Sequence, residues 1–269
     1  MEPPGPRGPG VKLAVSVVIP AYNEGDSIVP VLDRIFDGVE LDCEILVVVD
    51  FAEDTTLPIL RAYARREPRL KALVSSYGRG PANAIRFGID HVTNPVVVVT
   101  MADGSDDPRQ IDELARLVER GVVVAAASRY SAGGQQVGGS LIKGALSRTA
   151  GTSLRFFARV GTRDATNSFK AYSTQFIREV GIESRSGFEI GLELTAKARR
   201  MRLPVAEVPT IWLDRTAGRS NFYLRKWIPE YLRWYTYAFG PQLSAIDMHR
   251  RSRAPRISEP GSTKARTLP

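Results

Sequence analysis

Short apolar runs alternate with amphipathic stretches through the first half of the chain. Four consecutive valines at 96–99 predict a strand over 96–102 that is buried on both faces, as in the middle of a parallel sheet. Similar runs predict strands at 15–20, 44–50, 70–75 and 122–127. Helices are predicted at about 26–36, 55–66 and 108–120, with another starting near Pro81. The alternation predicts a mostly parallel α/β sheet with helices on both faces.

The second half is less regular. A loop holding Gly133, Gly134, Gly138 and Gly139 precedes a helix predicted at about 143–157. An irregular stretch at about 164–172 follows, and then a helix near 189–201 and a short strand at about 205–213. Because neither an internal repeat nor an interdomain linker is present, we expect one domain at 13–220. The first residues, 1–12, are rich in Pro and Gly and are predicted to be a disordered leader.

Residues 221–248 are predicted to form an aromatic amphipathic helix. Eight aromatic residues lie between 221 and 240, several of them at helical spacing, and Arg225, Lys226 and Arg233 lie off that stripe. Such a helix suits the plane of a membrane interface, although a helix that packs on the protein core is the alternative. The tail at 249–269 has six Lys or Arg residues and one Glu, so it either binds anionic lipid or is a solvated, disordered segment.

Composition narrows the class of protein. A chain of 269 residues with 43% apolar residues can bury a sizeable core. The single Cys43 has no disulfide partner and is expected to be a buried small apolar residue. No uninterrupted apolar run reaches the length of a membrane span, so no transmembrane helix is predicted. The net charge of +8 is concentrated in the tail, and the body has no basic-aromatic stacking surface, so nucleic acid is not an expected partner.

The candidate chemistry begins directly after the valine strand, with Asp103, Asp106 and Asp107. Asp107 as N-cap, Pro108 as first helical residue and Gln110 in a capping box predict that a helix starts here. The carboxylates therefore lie at the carboxyl end of a central strand, where open α/β sheets bind ligands. One or two carboxylates together with substrate phosphates commonly hold Mg²⁺ or Mn²⁺.

Three other segments are expected to converge on the same sheet edge: 20–24 after the first strand, 50–56 after the second, and the turn Gly78-Arg79-Gly80 before a helix. A glycine-rich helix start offers backbone N–H groups to phosphate, but tight packing explains such a pattern equally well. Asp54 is equally compatible with an N-cap and a ligand.

Several short motifs along the chain resemble those of a known protein family. They are Ser16 to Glu24 (SVVIPAYNE), 49–56 (VDFAEDTT), 126–130 (AASRY) with Gly133-Gly134, 164–169 (DATNSF), 207–209 (EVP), Asp214-Arg215 and Gly218-Arg219-Ser220. In this order and spacing they resemble the family 2 glycosyltransferases of the GT-A fold, and among them the polyprenyl-phosphate sugar synthases of the dolichol-phosphate mannose synthase type. The resemblance implies the GT-A fold for nearly the whole body.

The resemblance also implies roles for individual residues. The implied nucleotide-sugar-binding residues are Pro20, Tyr22, Asn23, Glu24, Asp50, Gly80, Ala102 and Asp103. The implied acceptor-phosphate residues are Arg129, Lys143, Arg148 and Arg219, and the implied catalytic residues are Asp103, Arg129 and Arg215. Mg²⁺ or Mn²⁺ is expected on Asp103 and Asp106. Glu193 matches a family glutamate that orients either a sugar hydroxyl or an arginine.

Two positions depart from the family pattern. Met101 replaces the first Asp of the metal motif, and Val49 replaces the first of two Asp in the base segment. Because a thioether does not ligate a hard cation, we expect Asp103 to hold the metal with help from Asp106, from Ser105 through water, or from the diphosphate itself. A metal-independent or inactive protein remains the alternative.

The resemblance implies an inverting transfer of a hexose from a GDP-mannose or UDP-glucose type donor to a polyprenyl phosphate. The enzyme would be cytoplasmic and peripheral at the cytoplasmic membrane face. A soluble hydroxyl acceptor is a second hypothesis and requires a general base, for which Asp106, Asp164 and Glu189 are candidates. A non-catalytic protein that binds nucleotide sugars is the third.

Overall fold

The computed structural model describes residues 13–214, 224–244 and 247. The predicted leader, the basic tail and the two candidate residues Arg215 and Arg219 lie outside the described residues. In chain order the strands are β1 (Ala14–Ala21), β2 (Asp42–Val49), β3 (Leu70–Val74), β4 (Val96–Val99), β5 (Val124–Ser128), β6 (Gln135–Val137), β7 (Lys170–Ser173), β8 (Val205–Pro209) and β9 (Ile211–Leu213).

The helices alternate with these strands. They are α1 (Ile28–Gly38), α2 (Thr56–Ala64), α3 (Pro81–Asp90), α4 (Gln110–Glu119), α5 (Leu141–Ser153), α6 (Thr174–Val180), α7 (Ile190–Arg200) and α8 (Leu224–Ala238). A short 3₁₀ turn at Gly25–Ser27 precedes α1, and a π-helical turn at Leu154–Ala158 continues α5. The predicted elements of the first half are all present, with bounds shifted by a few residues.

The described strands form a mixed seven-stranded sheet in the order β3-β2-β1-β4-β7-β5-β8, and β6 pairs with β9 beside it. Every pair in the large sheet is parallel except those of β7, which runs antiparallel between β4 and β5. The sequence predicted only an irregular stretch at 164–172, so β7 corrects that prediction. The chain order reverses between β1 and β4, the kind of point where α/β sheets bind ligands.

The core lies on both faces of the sheet because strand residues alternate in direction. In β1, Val15, Val17 and Ile19 pack with α1, α2 and α4, whereas Val18 packs on the other face with α3, α6 and α7. Helix α3 lies so close to the sheet that a Cβ at Gly88 would be 2.5 Å from the side chain of Val18. The first half of the sheet is therefore a rigid support for the loops at its carboxyl edge.

The start of α4 differs from the prediction. The helix begins at Gln110, not at Pro108, and no side chain caps it. Asp107 instead accepts hydrogen bonds from the backbone and guanidinium of Arg109, and the Gln110 side chain donates to the carbonyl of Pro209. The predicted capping box is wrong because both of its side chains have other partners.

Helix α8 packs on the protein. Trp227 and Trp234 are only 5% and 1% exposed, and Trp234 lies in a cluster with Leu154, Leu192 and Ala196. Over the described part of 221–248 the helix thus packs on the protein, as in the core-packing alternative, and both tryptophans are buried. None of the helices in the described part of the chain has the length and apolar content that a membrane span requires.

Candidate functional site

A cavity of about 1200 Å³ opens at the carboxyl edge of the sheet, between the loops after β1, β2 and β4 and the helices α5 and α8. Most of the residues predicted for the site lie in its wall: Pro20, Tyr22, Glu24, Asp50, Gly80, Ala102, Asp103 and Arg129. Three others, Asn23, Asp106 and Arg148, are not among the described lining residues. The three loops after β1, β2 and β4 and the turn before α3 that carries Gly80 converge on one cavity, as the sequence predicts.

At one end of the cavity, Asp50 closes the turn before α3. One carboxylate oxygen, Oδ2, accepts the backbone N–H of Gly80 at 2.8 Å. The other, Oδ1, is buried and has no hydrogen-bond partner in the described structure. Burial raises the pKa of Asp50, and repulsion from Asp54 adds to the effect. An unpaired buried acceptor is costly, so Oδ1 is suited to an N–H donor of a ligand.

Gly80 is required by this turn for two reasons. Its φ of +113° lies in a region that residues with a side chain rarely adopt. A Cβ there would also be 3.2 Å from the carbonyl of Ser186, which lines the cavity from the segment before α7. The pattern Gly78-Arg79-Gly80 thus serves both close packing and the turn that places the Gly80 N–H on Asp50.

Aromatic and cationic groups surround the same end. The ring of Phe51 meets Tyr22 edge to face at 5.9 Å, and the guanidinium of Arg79 lies 4.9 Å from the centre of the Phe51 ring. Tyr22 and Arg79 line the cavity beside Asp50. A flat heterocycle stacks well on such groups.

Asn23 and Asp54 join the loops after β1 and β2 to each other. Asp54 accepts the backbone N–H groups of Asn23 at 2.9 Å and of Thr56 at 2.8 Å, and Asn23 accepts that of Thr55 at 3.2 Å. Asn23 adopts the left-handed conformation, with φ of +51°. The side chain of Asp54 therefore joins the two loops just before α2, which starts at Thr56 without a side-chain cap. Asn23 helps to support the site, and its contact with the nucleotide stays a prediction.

The loop after β4 points its carboxylates in different directions. Asp103 lines the cavity and accepts the backbone N–H of Ser105 at 3.1 Å. Asp106 turns inward, where its Oδ2 accepts the hydroxyl of Thr100 at 2.8 Å and the backbone N–H of Met101 at 3.2 Å. Burial, with repulsion from Asp103, raises the pKa of Asp106 to about 7. The carboxyl of Asp106 thus holds the loop together, and its metal contact stays a prediction.

The donor set fits a divalent ion that arrives with a diphosphate. Asp103 offers a carboxylate, and the buried hydroxyl of Ser105, also on the cavity wall, has no partner in the described structure. The described residues contain no group of three His, Cys, Asp or Glu that could hold a metal ion alone. One carboxylate plus phosphate oxygens and water is the usual arrangement for Mg²⁺ beside nucleotides.

Arg129 is the cation that the structure places most firmly in the cavity wall. Its Nε and Nη2 donate to the two carboxylate oxygens of the fully buried Asp164 at 2.7 and 2.8 Å, and Nη2 also donates to Ser147 at 3.2 Å. Burial alone lowers the pKa of Arg129, but the paired carboxylate raises it above its ordinary value. The guanidinium is thus a fixed positive charge.

Lys170 supports the loop that carries Asp164. Its ammonium group, fully buried on β7, donates to the carbonyls of Ala165 at 3.2 Å and of Asn167. Burial lowers the pKa of Lys170 to about 7. Residues 166–168, which lie between Ala165 and Lys170 in the chain, line the cavity. The sequence gives no sign of this role, because a single lysine in a stretch predicted to be irregular does not look buried.

Of the four cations predicted to bind the acceptor phosphate, the structure describes the side chains of Arg129 and Arg148. The exposed Arg148 lies 5.3 Å from the centre of the Tyr130 ring, and Arg129 lies 5.0 Å from the same ring, so one aromatic side chain joins the two. Lys143 is in α5, but its side chain lies outside the described residues. Arg215 and Arg219 lie outside the described residues altogether, and their roles stay predictions.

The carboxylates proposed as general bases do not line the cavity. Asp106 and Asp164 have the partners given above, and Glu189 accepts the backbone N–H groups of Ser186 and Gly187 at the start of α7. Glu193 is similarly tied to the N–H groups of Glu183 and Ser184. These glutamates shape the loop at 183–188, and neither is placed to orient a sugar directly.

The far wall of the cavity is apolar and comes from α5 and α8. It includes Leu146, Ala150, Ile228, Tyr231, Leu232 and Tyr235. The hydroxyls of Ser153 on α5 and Tyr235 on α8 lie 2.9 Å apart and join the two helices. The helical spacing of aromatics in α8 was visible in the sequence, but the surface that they contact was not.

Comparisons with known proteins agree with this geometry. The sequence model described as Glycosyl transferase family 2 matches residues 16–181. Polyprenol monophosphomannose synthase of Mycolicibacterium smegmatis is 30% identical over 211 residues, which cover 76% of this chain and 79% of that protein. Undecaprenyl-phosphate 4-deoxy-4-formamido-L-arabinose transferase of Edwardsiella ictaluri is 29% identical over 80% of this chain, which spans 64% of that relative.

Solved structures show the same fold at low identity. Glucosyl-3-phosphoglycerate synthase of Mycobacterium tuberculosis, in complex with Mn²⁺, UDP and glucosyl-3-phosphoglycerate, superposes with a TM-score of 0.62 at 16% identity over 87% of this chain and 82% of that one. The mannosyltransferase PcManGT of Pyrobaculum calidifontis, with GDP-Man and Mn²⁺, gives 0.60 at 19% identity over 91% and 70%. The predicted GT-A fold is confirmed. The chain belongs to glycosyl transferase family 2 and is a glycosyltransferase.

Proposed function

We propose that this glycosyltransferase moves a hexosyl group from a nucleoside diphosphate sugar to a polyprenyl phosphate at the cytoplasmic face of a membrane. The observation that carries the proposal is the composition of one cavity. Its sheet-edge wall holds Asp50, Asp103 and Arg129, and its opposite wall is formed by the apolar residues of α5 and α8. A charged donor and an acceptor with a charged head and an apolar chain match these two walls.

The donor end is supported by the groups around Asp50. Its buried, unpartnered Oδ1 is placed to accept an N–H of the base, while Tyr22 and Arg79 flank the heterocycle. Uracil and guanine both carry such a donor, so UDP-glucose and GDP-mannose types both remain within the proposal. Asp103 and Ser105 would hold Mg²⁺ or Mn²⁺ on the diphosphate, and the bound ion would neutralise charge on the leaving group.

A phosphate acceptor requires cations to hold it and does not require a general base to deprotonate it. A phosphate monoester has a second pKa of about 6, so its oxygen is already ionised at neutral pH. That oxygen would form the new bond to the anomeric carbon as the bond from this carbon to the diphosphate breaks, with both electrons leaving on the diphosphate and the configuration inverted. Arg129, fixed by Asp164, would hold the acceptor phosphate and offset its repulsion from the donor.

The hydroxyl-acceptor alternative is less well supported. It requires a carboxylate near the anomeric carbon, and the three candidates from the sequence do not line the cavity. The two relatives from Mycolicibacterium smegmatis and Edwardsiella ictaluri, a polyprenol monophosphomannose synthase and an undecaprenyl-phosphate sugar transferase by name, also favour a lipid phosphate acceptor.

The experiment compares acceptors that differ by one phosphate. Purified protein with Mn²⁺ is given UDP-glucose or GDP-mannose, together with either a short-chain polyprenyl phosphate or the matching polyprenol. We expect a glycosylated lipid phosphate by mass spectrometry and release of nucleoside diphosphate, with no product from the polyprenol. Equal transfer to polyprenol would contradict the proposal. Nucleotide binding without transfer to any acceptor would support the non-catalytic alternative.

A further inference from the structure

We propose that the protein docks on an anionic lipid bilayer through the segment from α5 to the end of the π-helical turn, 141–158, with Phe156 and Phe157 entering the lipid. This surface differs from the aromatic helix and the basic tail, for both of which the sequence left a membrane contact open. It gives a location to the membrane contact on which the proposed function depends.

The first support is the exposure of large apolar side chains on one segment. Phe156 and Phe157 are 75% and 77% exposed, and Ile142 and Leu146 are 79% and 52% exposed. Single exposed apolar residues are ordinary on soluble proteins, but four on 16 consecutive residues form an apolar surface that calls for a partner. Ile142 and Leu146 are one helical turn apart and so lie on the same face of α5.

The fold holds the two phenylalanines outward. Leu154 and Ala158, on either side of them, are fully buried and pack in the cluster that contains Trp234. Arg159 ends the turn in the left-handed conformation, with φ of +58°. A Cβ at Gly151 would be within 2 Å of the Arg163 carbonyl, because α5 is pressed against that loop. The segment therefore has no room to rotate its phenylalanines into the core.

The second support is charge. Residues 120–163 contain no Asp or Glu, and the cations Lys143, Arg148, Arg155, Arg159 and Arg163 fall within 141–163. Arg148 and Arg159 are exposed. Arg155 and Arg163 share a single carboxylate, that of Glu207. Cations near an anionic bilayer are attracted to it, so a surface with exposed rings, several cations and few acids favours anionic lipid over a second copy of the same basic surface.

The third support is continuity with the cavity. Leu146 belongs both to the exposed row on α5 and to the cavity wall, where Leu232 of α8 is also a lining residue. Leu232 on α8 and Phe239, directly after the end of that helix, are themselves exposed. A bilayer that meets Phe156 and Phe157 would therefore lie beside the apolar wall of the site, where the proposed acceptor would enter.

The test uses the full chain and vesicles of defined lipid. Sedimentation measures binding to phosphatidylcholine vesicles with or without equimolar phosphatidylglycerol, for the natural protein and for F156S/F157S. The matched control is I211S/L213S, which removes two half-exposed apolar residues of β9. We expect binding that needs the anionic lipid, and a loss of at least about tenfold in F156S/F157S alone. Equal binding by F156S/F157S, or no binding by the natural protein, would overturn the proposal.

A second variant reports the depth of the contact. Phe157→Trp should show a blue shift and quenching by brominated lipid when anionic vesicles are added; the three native tryptophans, measured in the unmodified chain, supply the background. Association of the natural protein in solution, abolished in F156S/F157S and without vesicle binding, would instead assign the surface to a second copy and contradict the proposal.

Activity assays separate this inference from the proposed function. F156S/F157S should transfer sugar normally to a short-chain polyprenyl phosphate in solution and poorly to the same lipid phosphate embedded in vesicles. If no acceptor phosphate is glycosylated by the natural protein while vesicle binding is as expected, the proposed function fails and the docking surface stands.

Discussion

The guanidinium of Arg129 and the carboxylate of Asp164 form a two-point ion pair inside the wall of the cavity, with N–O distances of 2.7 and 2.8 Å. The backbone N–H of Arg129 donates a third hydrogen bond to the same carboxylate at 3.0 Å. Asp164 is fully buried, so its charge is stabilised chiefly by this arginine. The pair therefore has both a structural and a positioning role.

Asp164→Asn should destabilise the protein and slow transfer. The amide keeps one acceptor oxygen but turns N–H donors toward the guanidinium, which leaves a buried charge without its counterion. We expect the free energy of unfolding, measured with urea, to fall by about 2–4 kcal/mol. Ser147→Ala is the control, because it removes the 3.2 Å hydrogen bond to Nη2 and the 2.7 Å hydrogen bond with the Thr166 hydroxyl but leaves the ion pair intact, and it should cost only about 1 kcal/mol. Equal stability of the two variants would contradict the role assigned to the pair.

Asp103→Asn should weaken the binding of a nucleoside diphosphate only when metal is present. Asp103 is the carboxylate of its loop that lines the cavity, so the change should reduce affinity in the presence of Mn²⁺ by at least about tenfold and leave metal-free binding unchanged. Calorimetric titration with UDP and GDP measures both. Asp107→Asn is the control, because that carboxylate pairs with Arg109. An equal loss with and without metal would show that Asp103 contacts the nucleotide directly.

Asp50→Ala should weaken binding of the base and not of the diphosphate. The change removes both the unpartnered Oδ1 and the acceptor for the Gly80 N–H. We expect a loss of about 10- to 100-fold in affinity for UDP or GDP and little change for pyrophosphate, measured in the same titration. Glu53→Ala, in the same loop and exposed, is the control. A parallel loss for pyrophosphate would mean that Asp50 only maintains the turn.

Local patterns were sufficient for the first half of the fold. The strand and helix periods of β1 to α4 follow from residues that bury one face or both, and those elements need little information from distant parts of the chain. Strand β7 is different. It is four residues long, holds a lysine, and gains its partners β4 and β5 from far along the sequence, so no local period marks it.

In the candidate site, too, some features follow from local sequence and others depend on the folded structure. The sequence placed Asp50 and Asp103 on one cavity because the carboxyl ends of neighbouring strands meet, whereas Arg129 was implied only by the family resemblance. It did not separate Asp103 from Asp106, because the direction of each carboxylate depends on a turn at Gly104, with φ of +70°. For α8, the apolar stripe in the sequence predicts that one face of the helix is buried but not what covers it. In the structure α8 packs against α7 and also lines the cavity.

Far from the site, Glu44 ties together the amino ends of three strands. Its carboxylate accepts the hydroxyl of Ser16 at 2.5 Å, the N–H and hydroxyl of Thr93 at 2.8 Å each, and the ammonium of Lys71 at 2.5 Å. Burial opposes ionisation, but the hydrogen bonds from Lys71, Ser16 and Thr93 outweigh it and lower the pKa of Glu44 to about 2, from an ordinary value of 4.5.

The effect on stability follows from the sign of this shift. Because the pKa is lower in the folded state, Glu44 stabilises the fold fully above pH 4.5, and the contribution is lost as the pH falls from there toward 2. Glu44→Gln should therefore lower the free energy of unfolding by about 1–3 kcal/mol at pH 7. The difference between the natural protein and the variant should shrink between pH 4.5 and 3, as measured by urea unfolding at each pH. Glu67→Gln, which breaks a more exposed pair with Arg69, should cost less than about 1 kcal/mol. A difference for Glu44→Gln that stays constant down to pH 3 would show that shape and packing, not charge, account for its effect.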